Sequence, residues 1–171
     1  GPVILYNYSS KEIRLAATDT SYFNNHVTVN ASSGGVEFGA SGGVSILASG
    51  KTISVGDSGF ISNYLTLSNI IQLGIASINL ELSGSAVVSL ENCTFRGELN
   101  ISAPGILTKS GIYYGNTTLN RTGSATNFHS YGNNLFAGNL TVNNSGSAGR
   151  IRFASTAADS YFGNATFNST G

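Results

Sequence analysis

The sequence predicts an all-β chain folded as a right-handed parallel β-helix, or β-solenoid, of about eight coils of about 15–25 residues. Three observations predict this fold. Gly, Ser, Thr and Asn together fill 81 of 171 positions, whereas charged residues make up only 9%. An aromatic residue, a turn pair and a short alternating strand recur along the chain. The recurrence distance of about 20 residues suits one solenoid turn, with two or three strands in it.

The composition excludes several classes of protein. Eight basic and eight acidic residues give a net charge of zero, so no basic patch for nucleic acid is expected. The apolar runs are far shorter than the ~20 residues that span a bilayer, so we expect no membrane insertion. Cys93 has no second cysteine to pair with. Because 40% of the residues are hydrophobic and the net charge is nil, the chain is not expected to be disordered.

The repeated motif defines the strands in order. Its clearest copies occupy residues 113–120, 136–143 and 161–168, and looser copies begin at Phe23, Phe60 and Phe95. The last inward apolar residue of each copy serves as a marker, which gives Val29, Ile46, Leu67, Leu82, Ile101, Leu119, Val142 and Phe167. Second strands follow at 36–38, 53–55, 87–90 and 151–153, and Asp57-Ser58-Gly59 predicts a turn. We expect the aromatic rings to fill the corners, with one ring of each aromatic pair pointing inward.

Polar residues alternate with the inward residues of the marker strands. In register they would form one outward stripe, with the members Thr28, Asn30, Thr66, Ser68, Asn100, Ser102, Thr118, Asn120, Thr141, Asn143, Thr166 and Asn168. One interpretation is that these are solvated strand residues that hydrogen-bond up the stack. Another is that a regular uncharged array binds an ordered surface such as ice or a crystalline polysaccharide, and a third is lateral packing against another chain. Ser45 and Glu81 interrupt the predicted stripe.

A longer repeat relates the two ends of the chain. Residues 13–16 (IRLA) match 151–154 (IRFA), residues 21–23 match 160–162, and residues 28–30 match 166–168, at offsets of 138 or 139. The chain is therefore expected to be a single solenoid, 1–171, cut from a tandem array with a unit of about 138 residues. Gly1 and Pro2 resemble a protease-cleavage scar.

Residues 136–154, 48–56 and 107–111 resemble the tandem repeats of very large secreted or cell-surface proteins of Bacteroidetes. Many of these adhesin-like proteins carry a C-terminal sorting signal for the type IX secretion system. The resemblance implies an extracellular or cell-surface filament with a spacing or adhesive role. It implies neighbouring repeats as partners, with surface glycans or other cells as further candidates, and it transfers no catalytic residue.

The ionisable residues offer little for catalysis. Hydrolysis of a glycoside needs two facing carboxylates, and among the scattered acids only Glu91 and Glu98 could lie close together. His26 occupies a position that is Glu98 or Asn139 in sister copies, which indicates a tolerant turn. No metal-binding motif occurs, and Cys93 is expected to be a buried small apolar residue.

Two arginines recur at equivalent places of the longer repeat. Arg14 and Arg152 both flank apolar strand residues, so their side chains are expected to point outward. There they could bridge neighbouring coils or meet an anionic glycan.

These patterns predict a non-catalytic structural or adhesive segment without a cofactor. Two alternatives remain open at this point. One is an ice- or crystalline-polysaccharide-binding solenoid that uses the Thr-x-Asn stripe. The other is a carbohydrate-active β-helix, since parallel β-helices often carry polysaccharide-degrading sites.

Overall fold

The computed structural model describes residues 1–123, 128–147 and 150–170. It shows a parallel β-solenoid of seven turns followed by one further strand. Each turn contributes one strand to each of three faces, and the strand pairs are parallel. The fold class is thus the predicted one, with seven turns in place of about eight.

The first face consists of two sheets, β1-β4-β7 and β10-β13-β16-β19-β22. Its strands are β1 (Val3–Asn7), β4 (Val27–Ala31), β7 (Ile53–Phe60), β10 (Ile78–Glu81), β13 (Leu99–Ala103), β16 (Thr117–Arg121), β19 (Leu140–Asn144) and β22 (Ala165–Ser169). The two sheets pack side by side at β7 and β10.

The second and third faces are seven-stranded sheets. The second face contains β2 (Ile13–Leu15), β5 (Val36–Phe38), β8 (Tyr64–Ser68), β11 (Val87–Glu91), β14 (Gly105–Lys109), β17 (Phe128–Gly132) and β20 (Ile151–Arg152). The third face contains β3 (Thr20–Phe23), β6 (Val44–Leu47), β9 (Ile70–Gln72), β12 (Thr94–Phe95), β15 (Ile112–Tyr113), β18 (Leu135–Phe136) and β21 (Ser160–Tyr161). A 3-10 turn, Ala40–Gly42, lies between β5 and β6.

The core is built by stacking like side chains on one another. On the first face Leu80, Ile101, Leu119 and Val142 are in register and buried. On the third face the rings of Phe95, Tyr113, Phe136 and Tyr161 stack, with centroids 6.1, 4.8 and 5.5 Å apart. Because each turn covers the apolar row of the one before it, burial requires several neighbouring turns.

The corner between the second and third faces has a left-handed residue in every turn. The seven residues are Ala16, Gly39, Asn69, Asn92, Ser110, Asn133 and Ala154, with φ between 48° and 68°. A left-handed residue bends the chain sharply at a single position, which is why β8 and β9 are separated by Asn69 alone. Asn is the non-glycine residue that tolerates this conformation best, and it occupies three of the seven corners.

The predicted strand order is wrong in the second and third turns. Ile46 lies in β6 on the third face, and Leu67 lies in β8 on the second face. The first-face position between them belongs to Val55, which pairs with Val29. Leu80 rather than Leu82 pairs with Ile101. Two short alternating strands in one turn have the same sequence period, so alternation alone could not assign them to a face.

Phe60 is not a corner aromatic of the third face. It ends β7 and pairs with Ala31 on the first face. In that turn Gln72 occupies the third-face position next in register to Phe95.

The number of residues in each turn also differs from the prediction. Between equivalent first-face positions, the shortest turn runs from Ile101 to Leu119 and the longest from Val29 to Val55. The two still shorter steps that the sequence predicted, from Val29 to Ile46 and from Leu67 to Leu82, are wrong because each joins two different faces.

Two of the three matched segments of the long repeat occupy equivalent positions in the solenoid. Arg14 in β2 and Arg152 in β20 lie in one outward column of the second face, six strands apart. Val29 and Phe167 occupy equivalent positions on the first face. On the third face the match of residues 21–23 to residues 160–162 is one residue out of register, because Ser160 and Tyr161 take the positions of Tyr22 and Phe23. The offset between the two copies therefore corresponds to six full turns.

Within the described residues, the structure contains no helix of the length and apolarity that crossing a membrane would require. Residues 148 and 149, which belong to the stretch 136–154 that carries the family resemblance, lie outside the described residues.

Candidate functional site

The outward stripe exists over the last strands of the first face. Asn100 and Ser102 pair with Thr118 and Asn120, which pair in turn with the outward residues of β19 and β22. The eight predicted members that lie in register are Asn100, Ser102, Thr118, Asn120, Thr141, Asn143, Thr166 and Asn168. The stripe also includes Asn79 and Glu81 of β10, which pair with Asn100 and Ser102.

Amide groups bond along this stripe from turn to turn. Asn143 Nδ2 donates to Asn120 Oδ1 at 2.7 Å, and Asn168 Nδ2 donates to Asn143 Oδ1 at 2.8 Å. In the neighbouring column Asn100 Nδ2 donates to Asn79 Oδ1 at 2.9 Å. Part of the hydrogen-bonding capacity of the stripe is therefore used to hold successive turns together.

Thr66 and Ser68 do not belong to the stripe. They lie in β8 on the second face, where Thr66 pairs with Glu37 and Ser89. Ser68 is buried. Ser45, which was expected to interrupt the stripe, is buried on the third face. The predictions for Thr66, Ser68 and Ser45 are wrong for one reason, because alternation alone does not show to which face a strand belongs.

Thr28 and Asn30 lie on the first face, but a bulge in β7 separates them from the other members. Val29 pairs with Val55 and Ala31 pairs with Phe60, so residues 56–59 stand opposite Asn30 alone. Asn30 is only 2% exposed, and its Oδ1 accepts the N–H of Ser58 at 3.1 Å. Asn30 thus supports the bulge through this hydrogen bond.

The bulge depends on glycine at its two ends. A Cβ on Gly56 would lie 2.6 Å from Asn30 Oδ1, and Gly59 has a φ of 75°. Gly56 therefore leaves no room for a side chain, and Gly59 has the left-handed conformation that favours glycine. The residues Asp57-Ser58-Gly59 predict a turn between strands, whereas the structure makes them an insertion within one strand.

A groove of about 440 Å³ lies where the bulge meets the second sheet of the first face. Its wall is formed by Val55, Gly56 and Gly59 of β7. The remaining lining residues are Asn79, Leu80, Glu81, Asn100, Ile101, Ser102 and Asn120. Three amides, one hydroxyl and one carboxylate thus converge on one concave surface.

Of the described residues that line the groove, only Glu81 is charged. Its side chain makes no ion pair in the described part of the chain. The acids with ion-pair partners lie near or on the second face, where Arg14 contacts Glu12 and Glu37, and Lys109 contacts Glu91. Arg14 therefore bridges neighbouring turns, which is one of the two roles that the sequence left open.

Glu91 and Glu98, the only acids that the sequence indicated as a close pair, lie in different parts of the turn. Glu91 ends β11 on the second face and is bound to Lys109, whereas Glu98 precedes β13 at the opposite end of the third-face strand β12. Among the described residues no group of three or more His, Cys, Asp or Glu side chains could hold a metal ion.

Asp159 is engaged in a hydrogen-bond network near the corner between the second and third faces. Its Oδ1 accepts the backbone N–H and the Nδ2 of Asn134, both at 2.9 Å. Its Oδ2 accepts the hydroxyl of Ser130 at 3.0 Å and the N–H of Ala154 at 3.1 Å. Burial, and then the nearby Asp159 carboxylate, raise the pKa of Tyr161 to about 12. With its lone pairs occupied in this way, Asp159 ties two neighbouring turns together.

Cys93 has a structural position in the core. It is 1% exposed and donates from Sγ to the Leu67 carbonyl at 2.9 Å. Burial raises the pKa of its thiol to about 12. The prediction of a buried small residue is therefore confirmed.

The two histidines lie in different parts of the turn. His26 Nδ1 lies 2.9 Å from Thr52 Oγ1. The carbonyls of His26, Glu98 and Asn139 each accept the N–H that begins the first-face strand of the preceding turn, so the three positions are equivalent, as predicted. His129 lies in β17, in register with Leu107 and Arg152.

The third face is apolar on its outer surface, a feature that the sequence pattern did not predict. One outward column consists of Tyr22, Ile46, Ile71, Thr94, Ile112 and Leu135. In two of the aromatic pairs one ring points inward and the other outward. Phe23 and Tyr113 are buried, whereas their neighbours Tyr22 and Tyr114 are exposed. Arg96 lies over the Tyr114 ring at 5.7 Å. In β6 (Val44–Leu47) the alternation of the sequence VSIL indicates a strand, but the same alternation would fit a strand of the first face equally well.

Comparison of the chain with protein-family models, with curated proteins and with solved structures finds no match. The arrangement of the residues is therefore the basis for a functional proposal.

Proposed function

We propose that the chain is a non-catalytic structural and adhesive segment of a large secreted or cell-surface protein. In this proposal it acts as a rigid spacer that presents its faces to glycans or to other cells. The resemblance to Bacteroidetes tandem repeats supports the extracellular setting. The low charge and the regular stacking of the turns support the spacer role.

The observation that carries the proposal is that recurring asparagine side chains form hydrogen bonds between successive turns. The N–H of Asn139 donates to Asn116 Oδ1 at 3.1 Å, and the N–H of Asn164 donates to Asn139 Oδ1 at 3.0 Å. The asparagine of the repeated aromatic-x-Gly-Asn motif thus connects one turn to the next. This motif recurs because it holds successive turns together, and six turns separate the two copies of the long repeat. Both features favour a segment that acts as a spacer.

A distance measurement tests the spacer. Spin labels on Arg14→Cys and Arg152→Cys would lie about 29 Å apart at the backbone, because six strand spacings of ~4.8 Å separate them. A rigid spacer predicts a narrow distribution near this value. Buried Cys93 should stay unlabelled, and the parent chain with Cys93 alone provides the control. A broad distribution would contradict a rigid spacer.

Binding to an ordered surface is a second candidate. The eight in-register stripe residues from β13 to β22 favour it, since they repeat on one sheet at the strand spacing. Thermal hysteresis and adsorption to crystalline cellulose or chitin test this candidate. Loss of either activity in Thr141→Val with Thr166→Val would support it, and absence of both activities in the parent chain would reject it.

The third candidate, a carbohydrate-active β-helix, is tested by incubation with a panel of polysaccharides. Our proposal predicts no new reducing ends. Product formation that disappears in Glu81→Gln would instead make the groove a catalytic site.

A further inference from the structure

We propose that the groove between the β7 bulge and β10 is a binding site for uncharged glycans. The inference rests on the proposed function, because it gives the adhesive role a ligand class and a location. The groove volume of about 440 Å³ falls within the ~300–1,000 Å³ range of small-molecule sites.

The groove is a built feature of the chain. Residues 56–59 stand opposite Asn30 alone, and the buried Asn30 amide holds them by the Ser58 N–H. Bulges of this kind redirect a strand and are frequent beside binding sites. Here the bulge raises a wall at one end of the amide stripe, which turns a flat sheet into a concave surface.

The hydrogen-bonding groups of the groove include both donors and acceptors. Asn79 Oδ1 and Asn120 Oδ1 accept from neighbouring amides, which leaves the donor capacity of their Nδ2 groups for other partners. Asn100 donates to Asn79, which leaves its Oδ1 as an acceptor. Ser102 can donate and accept, and Glu81 can only accept when ionised.

A polyhydroxylated ligand matches this mixture. Each sugar hydroxyl both donates and accepts, so one sugar ring can bind an amide Nδ2 group and a carboxylate at once. Ionised Glu81 makes its hydrogen bonds charge-assisted and therefore stronger. Hydrogen bonds to neighbouring amides hold Asn79, Asn100 and Asn120 in place before the ligand arrives, which lowers the ordering cost of binding.

Charge sets the selectivity. None of the described lining residues is basic, and Glu81 has no ion-pair partner in the part of the chain that the structure describes. Uronic acids, sulfated sugars and phosphates would face an uncompensated like charge. The site should therefore accept neutral oligosaccharides and reject acidic ones.

A glycan array of neutral, uronic and sulfated oligosaccharides tests this inference, followed by titration calorimetry with the neutral probe that binds best. We expect Glu81→Gln and Asn100→Ala each to weaken binding about tenfold, the loss of one good polar contact. Glu98→Gln is the matched control, since Glu98 is an exposed carboxylate outside the groove and should leave binding unchanged. Tyr114→Ala on the third face should also have no effect.

Four outcomes would overturn the inference. They are binding to no uncharged glycan, a preference for acidic glycans, binding that survives both groove variants, and binding that is lost in Tyr114→Ala. Circular dichroism melting of each variant separates loss of binding from loss of fold. Failure here leaves the spacer role intact, because that role is judged by the distance between Arg14→Cys and Arg152→Cys.

Discussion

The left-handed corner residues show how single positions set the course of the chain. Seven turns bend from the second to the third face through a residue with positive φ. Asn, Gly, Ser and Ala all occur there, although their tolerance of this conformation differs. The many Gly, Asn and Ser residues of the sequence are therefore explained in part by these corners. A corner residue that tolerates positive φ poorly marks a place where a substitution could raise the stability of the chain.

Ser110→Asn should stabilise the chain by about 0.5 kcal/mol, because Asn adopts the left-handed conformation more readily than Ser. Thermal unfolding followed by circular dichroism would measure the change. Ser85→Asn, at an exposed turn position without positive φ, is the control and should have little effect. A lower melting temperature for Ser110→Asn would count against the backbone argument.

Cys93 should be chemically silent while the chain is folded. Its thiol is buried, donates to the Leu67 carbonyl, and has a pKa raised to about 12 by burial, so almost no thiolate exists at neutral pH. We expect no reaction with a thiol reagent in native buffer and full reaction in denaturant. Fast labelling of the native chain would show that this part of the core opens readily.

At the scale of elements, the glycines before the first face form a stack of their own. Gly97, Gly115, Gly138 and Gly163 lie one above another at the corner after the third face. A Cβ on Gly115 would lie 2.3 Å from the Gly97 carbonyl oxygen. The corners can approach to the strand spacing only because no side chain intervenes.

Gly115→Ala should therefore destabilise the chain by about 3 kcal/mol, the upper range for a residue forced into a close-packed site. Urea unfolding would measure the loss. Asn116→Ala changes the adjacent residue and removes one exposed side-chain bond to Asn139, so a loss of about 1 kcal/mol is expected. Equal effects for the two variants would argue against the glycine stack.

Sequence patterns predicted elements well where turns were short and similar. Ile101, Leu119, Val142 and Phe167 were placed on one face with the correct register, because each follows its corner aromatic at the same distance. The same alternation misplaced Leu67, since nothing in a period of two identifies the face.

The groove could be predicted only in part for a related reason. Asn100, Ser102 and Asn120 were in the predicted stripe, and Glu81 was noted as an interruption. The groove wall depends on residues 56–59 being inserted within a strand, and the sequence Gly-Asp-Ser-Gly looks the same in a turn and in a bulge. Asn79 was missed because β10 was recognised from Leu82 instead of Leu80.

At the scale of the whole molecule, the three faces differ in chemistry. The first presents amides and hydroxyls, the second carries ion pairs such as Arg14 with Glu37, and the third is apolar outside. In a stack of parallel turns, side chains at equivalent positions lie about 4.8 Å apart. Because similar side chains recur at these positions, each face has one predominant chemistry. The proposed spacer would display all three characters along its length.

The stacking account makes a prediction about extension that a spliced chain can test. Phe167 and Val29 occupy equivalent first-face positions, so residues 1–167 followed by residues 30–171 should continue the solenoid without a break. The added segment would form six more turns and lengthen the particle by about 29 Å, at ~4.8 Å for each turn.

Small-angle scattering and electron microscopy of the spliced chain measure this length directly. The predicted result is a single rigid rod, longer than the parent by about 29 Å, that unfolds in one transition. Two particles joined by a flexible link, or an aggregate, would contradict the claim that the repeat exists to extend one continuous stack.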